Sequence, residues 1–153
     1  MILYLVQHGK SLSKDVDPEK GLSREGISEV QRIAEVAKGY HIAPTVIYYS
    51  GKKRARQTAE IFFEALAPSE PLQQMDGIKP LDDVTVLPEK IGAGQKVMLV
   101  GHLPFMERLC SFLVTGGIEP PVFKFQNGGI VCVEKAFEAE TWAIRWTLMP
   151  NIS

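Results

Sequence analysis

Two histidines in this chain follow directly on short apolar runs. "ILYLV" leads into Gln7-His8-Gly9-Lys10-Ser11, and "KVMLVG" leads into His102. A neutral imidazole is a competent nucleophile and a proton carrier near neutral pH, because its pKa leaves much of it unprotonated there. A hydroxyl, Ser50, closes a third apolar run, "TVIYYS", and Arg54 follows four positions later among Lys52, Lys53 and Arg56. Taken singly, each histidine is an ordinary strand cap and Arg54 a solvated helix residue. Taken together, they offer nucleophile, hydrogen-bond donor and cation.

The elements that must position them are readable from periodicity. Residues 2–6 form a continuous apolar run, the pattern of a strand covered on both faces. After a polar loop, "LSREGISEVQRIAEVAKG" predicts a helix with Ser23 as N-cap, an apolar face of Ile27, Val30, Ile33, Ala34 and Ala37, and a close at Gly39. "TVIYYS" (45–50) predicts a second strand, and "KKRARQTAEIFFEALA" a second helix ended by Pro68. Residues 69–95 are less periodic and predict a short helix opening near Asp82. "KVMLVG" (96–101) predicts a third strand, followed by a helix over "LPFMERLCSFLVTGG" with Pro104 in its first turn and Gly116 past its end. "GGIVCVEKAF" and "TWAIRWTLMP" read as two further strands. Trp142 and Trp146, four apart, should share one sheet face. His41, in a helix–strand loop, reads as a surface or packing residue.

Alternating strands and helices predict a three-layer α/β/α fold with a mostly parallel central sheet. Ligands of such sheets bind beyond the carboxyl ends of the strands. His8, Ser50 and His102 each stand at such an end, so they should converge on one rim.

With 153 residues the chain is expected to form a single domain spanning 1–153. A net charge of −1 and no basic stripe argue against nucleic acid as a partner. Cys110 and Cys132 lie in apolar runs without metal-ligand spacing, so neither a disulfide framework nor a metal site is expected. No stretch is long enough to span a membrane and no secretory leader is visible, which makes the cytoplasm the expected compartment.

Four segments in order resemble the histidine phosphatase superfamily, the phosphoglycerate-mutase-like proteins. Gln7-His8-Gly9 stands where that family has Arg-His-Gly. "LSREG" (22–26) is similar to its Leu-Thr-x-x-Gly, "YSGKKRARQTAEIF" (49–62) to its Ser-x-x-x-Arg-Ala-x-Gln-Thr-Ala, and "VMLVGHLPFMERL" (97–109) to its second-histidine segment. Small size, "GHLP" and the brief segment between second helix and third strand most resemble the SixA-type phosphohistidine phosphatases. The resemblance implies a cofactor-independent phosphatase in which His8 forms a covalent phosphohistidine, with Arg54 and His102 gripping the phosphoryl group. Gln7, Gly9, Lys10, Ser11 and Ser50 would line the substrate, a phosphorylated protein or small phosphorylated molecule. These roles suit the chemistry. A phosphoryl group in transfer spreads charge over its equatorial oxygens and needs cationic donors around an in-line nucleophile. A planar guanidinium suits two of those oxygens at once.

The chain departs from that pattern at two points. Gln7 replaces an arginine, keeping an amide donor but losing fixed charge and the bidentate fork. This is expected to weaken turnover, and in the alternative reading leaves a phosphate- or phosphoprotein-binding domain without chemistry. Lys10, Lys52 or Lys53 could restore the charge. The acid that protonates a leaving group in many relatives is also missing: Asp76, Asp82, Asp83 and Glu89 stand in no decisive motif, and Asp82 and Asp83 read better as helix caps.

Overall fold

The computed structural model describes residues 1–152, in which one six-stranded mixed sheet carries helices on both faces. Its elements are β1 (Ile2–Gln7), α1 (Arg24–Gly39), β2 (Val46–Tyr49), α2 (Lys53–Leu66), β3 (Gln73–Gln74), β4 (Lys96–Gly101), α3 (Phe105–Thr115), β5 (Ile130–Lys135) and β6 (Trp142–Leu148). The strand order is β3-β2-β4-β1-β5-β6. The first four run parallel; β5 pairs antiparallel with β1, and β6 antiparallel with β5. The three-layer, mostly parallel expectation holds.

The continuous apolar strands arise because side chains alternate between two cores. Leu3, Leu5, Val97 and Leu99 pack under α3, against Phe105, Met106 and Leu109. Tyr4, Val6, Met98 and Val100 pack under α1 and α2, against Val30, Ile33, Ala59 and Phe62. In place of the one short helix expected to open near Asp82, residues 84–86 and 88–90 form two short 3-10 turns, and Val84 and Leu87 from this stretch complete the α3-side core.

Two expectations need correction. Ile27 is 37% exposed, and the helix face at that level is instead carried by buried Gly26. Trp142 and Trp146 do not share a face: Trp142 joins the α3-side core and Trp146 the other. The register explains it, since Cys132 pairs with Trp146 but Val133 with Ile144. The extra residue, Arg145, is a bulge that shifts the alternation by one and reverses which side each later residue faces.

Candidate active site

The rim is assembled by strand register. In the β1–β4 ladder Gln7 stands opposite Gly101, and the His8 amide donates to the Gly101 carbonyl at 2.9 Å, continuing the pairing one step past β1. His8 and His102 therefore leave adjacent strands side by side, their ring centroids 5.1 Å apart and tilted by 56°. On the other side of β4, the Ser50 amide donates to the Val100 carbonyl at 3.1 Å, which sets the serine hydroxyl beside His102. Ser50 Oγ and His102 Nε2 are 2.5 Å apart. Arg54, in the first turn of α2, donates from Nε to His8 Nε2 at 3.3 Å. No side chain caps the N-terminus of α2, so the positive end of its dipole stands uncompensated next to the rim.

The bond from His8 to Gly9 fixes which ring nitrogen is available. Nδ1 lies 2.7 Å from the Gly9 carbonyl, which can only accept, so Nδ1 carries the proton and Nε2 keeps its lone pair. That lone pair points to the nitrogen of Arg54. Burial pushes His8 down to about 4; the Gly9 bond opposes the shift, while the charges of Arg54 and Lys20 add to it. Burial also pushes His102 down to about 3, helped by His8, Arg54 and Lys52. Both imidazoles are therefore neutral at pH 7.

Several motif residues hold this loop rather than face it. The Gly9 amide donates to Thr58 Oγ1 at 2.9 Å, and the same hydroxyl donates to the Arg54 carbonyl at 2.8 Å. Gln57 Oε1 accepts from the Leu22 amide at 2.7 Å. The "Gln-Thr" pair on α2 thus ties the His8 loop and the entry to α1 against the turn that bears Arg54. Ser23 caps α1, accepting from the Gly26 amide at 3.0 Å while donating to the Lys10 carbonyl at 3.2 Å. A Cβ at Gly26 would run into that Lys10 carbonyl, and one at Gly9 would meet Val30 Cγ2 at 2.8 Å. The two glycines let α1 press directly on the loop after β1.

The expected residues separate into two groups. Gln7, His8, Gly9, Ser50, Arg54 and His102 meet at the strand ends. Lys10 turns to α1, its ammonium 2.9 Å from Glu25 and 3.5 Å from Glu29, and Ser11 contributes a backbone bridge to Leu22. Lys53 is likewise paired, with Asp17 at 2.9 Å. Besides Arg54, which acts on both imidazoles, the cations whose charge acts on them without a carboxylate partner among the described residues are Lys20, on His8, and Lys52, on His102.

Asp83 caps the first 3-10 turn through the Thr85 amide, as expected of it, whereas Asp82 caps no helix and accepts from the Lys79 amide in the turn before it. Asp76 lines a shallow cleft of about 260 Å³ with Gly51, Lys52, Gln74, Met75 and Lys79. One residue at the site escaped notice: Asn127, from the loop before β5, donates from Nδ2 to the His8 carbonyl at 2.9 Å. Its only signal is the turn-forming "QNGG" that precedes a strand. Among the described residues, no group of three His, Cys, Asp or Glu side chains could hold a metal ion, and no helix is long and apolar enough to cross a membrane.

A neutral imidazole with a directed lone pair, a guanidinium and a second imidazole around one point can grip an oxyanion and attack its central atom. Proteins of known structure share this fold. The model for the histidine phosphatase superfamily (branch 1) matches residues 3–82, just over half the chain. Among solved structures, the protein histidine phosphatase SixA complexed with tungstate superposes with a TM-score of 0.81 at 23% identity, covering 98% of this chain and 97% of that one. A protein from Agrobacterium tumefaciens assigned as phosphohistidine phosphatase SixA gives 0.77 at 25% identity over 97% of each chain. An Escherichia coli protein assigned as an alpha-ribazole-5′-P phosphatase gives 0.76 at 15% identity, covering 100% of this chain and 99% of that one. No curated protein sequence matches the chain. Four motifs in order, their meeting at one rim and the family match agree: this chain belongs to the histidine phosphatase superfamily.

Proposed function

We propose that the protein hydrolyses phosphohistidine on proteins, or a related phosphorylated substrate, through a phosphohistidine of its own at His8. The observation that carries this reading is the His8 Nε2 lone pair, held by the Nδ1–Gly9 bond and met by Arg54. Nε2 attacks phosphorus, the bond to the leaving group breaks with its electron pair, and that group takes a proton from solvent water. Water then attacks the phosphohistidine, the P–Nε2 bond breaks, and orthophosphate leaves as His8 regains its neutral form. Arg54 and His102 hold the equatorial oxygens while charge builds on them.

Three features favour a phosphoramidate over a sugar phosphate. An imidazole leaves readily, so the commitment of Asp82 and Asp83 to backbone amides costs little. Two short 3-10 turns between β3 and β4 add little bulk over the rim, which suits a protein-borne group. The SixA structures, named for phosphohistidine, align over almost the whole chain. We place the reaction in the cytoplasm, with no role for nucleic acid or membrane.

A second reading, a phosphate- or phosphoprotein-binding domain with little turnover, is favoured by Gln7. Its amide brings no fixed charge, and its Oε1 is buried without a hydrogen-bond partner among the described residues. The two readings separate on incubation with phosphoramidate or p-nitrophenyl phosphate. The first expects an acid-labile phosphoenzyme in the wild type that vanishes in His8→Ala, with release of orthophosphate. Absence of that species from the wild type defeats it. A melting temperature that rises with orthophosphate, without turnover of either compound, establishes the second.

A further inference from the structure

His102 is 2% exposed and Ser50 1%, so the contact between them is sealed from solvent. Ser50 Oγ meets Nε2 of the ring, while Nδ1, also buried, has no partner among the described residues. A neutral imidazole has one N–H and one lone pair, so the Ser50 contact decides which of them Nδ1 presents. If Nε2 carries the proton and donates to Ser50, the serine's own hydrogen is left without an acceptor, and Nδ1 presents a lone pair. A lone pair repels an anion. If Ser50 donates to Nε2, the serine is satisfied and Nδ1 carries the N–H, on a ring whose centroid lies 5.1 Å from that of His8.

We propose that Ser50 is a positioning residue: its hydroxyl donates to His102 Nε2 and so holds the ring in the Nδ1–H form, aiming a neutral donor at the substrate's phosphoryl oxygens. The inference rests on the phosphoryl-binding role proposed above and reassigns Ser50, which sequence reading put among the groups touching substrate. It also accounts for how a histidine that is uncharged at neutral pH can hold an anion. The ring needs no added proton, because the serine has already chosen where the existing one sits. A carboxylate in the place of Ser50 would do the reverse, drawing the proton to Nε2.

The test reads the tautomer itself in the resting protein, so it does not depend on turnover. Long-range nitrogen–proton correlation spectra of wild-type protein at pH 7 should show His102 protonated at Nδ1 and unprotonated at Nε2. Protonation at Nε2 overturns the proposal even if the protein proves to be an active phosphatase. Conversely, an Nδ1–H ring in a protein that forms no phosphoenzyme leaves the tautomer assignment standing while the phosphatase reading falls. Ser50→Ala should release the ring toward Nε2–H and weaken orthophosphate binding roughly 10- to 150-fold, the range for losing a hydrogen bond to a charged group. Ser50→Thr, which keeps the hydroxyl, should restore both. Unchanged orthophosphate affinity in a folded Ser50→Ala protein counts against the proposal. If that variant does not fold, the wild-type spectrum alone decides.

Discussion

At the scale of single residues, the proposed function makes the charge balance around Gln7 the first thing to test. A hydrogen bond to a charged partner contributes about 1.5–3 kcal/mol. If an arginine there strengthens its grip only in the transition state, Gln7→Arg should raise kcat about 10- to 150-fold, measured with phosphoramidate. Unchanged or lower kcat would mean that the rim is rebuilt around the amide, with neighbouring lysines supplying charge. Lys20 is the best placed of these, since it acts on His8 while Lys10 and Lys53 are spent on carboxylates. Lys20→Gln should lower kcat/KM severalfold at low salt, and the loss should shrink as salt rises, because exposed charges are screened over about 8 Å at physiological ionic strength. A loss of the same size at every salt concentration would assign Lys20 a direct contact instead.

At the scale of elements, the site depends on how α2 is moored to the loop after β1. Thr58→Val keeps the shape but removes both hydroxyl bonds, leaving the Gly9 amide buried and unpaired. The expected cost is about 1–3 kcal/mol in urea denaturation, together with a fall in kcat as His8 and Arg54 lose their mutual register. An unaltered kcat would mean that the loop is held by Asn127 and strand pairing alone. What the residues made legible and what they hid follow the same division. Strand ends with polar punctuation were plain, because continuous apolar runs have no other reading at that length, and they placed His8, Ser50 and His102 correctly. The Arg145 bulge was not plain, since a two-residue period carries no mark of one inserted residue. Nor was Asn127, a loop amide whose use depends on β5 folding back beside β1. The pairing of Lys10 was hidden for a related reason: its neighbours in space, Glu25 and Glu29, belong to a helix 15 and more positions on.

For the whole molecule, the two buried imidazoles tie stability to pH. Burial holds His8 at about 4 and His102 at about 3, against 6.5 for an open ring. Between those values the unfolded chain binds protons that the folded one refuses, so stability is full above 6.5 and falls as pH drops toward 4. Thermal midpoints between pH 7 and about 4.5 should fall accordingly, and His8→Gln should flatten the slope by removing one of the two uptakes. An identical slope in that variant would put the acid sensitivity elsewhere. The latch on the His8 carbonyl has a consequence in time as well as in space. Asn127 lies 119 positions from the residue it secures, and β1 is flanked by β4 and β5, both of which come later in the chain. During synthesis His8 emerges before the strands and the loop amide that secure it, so a partly made chain carries that ring without its pocket.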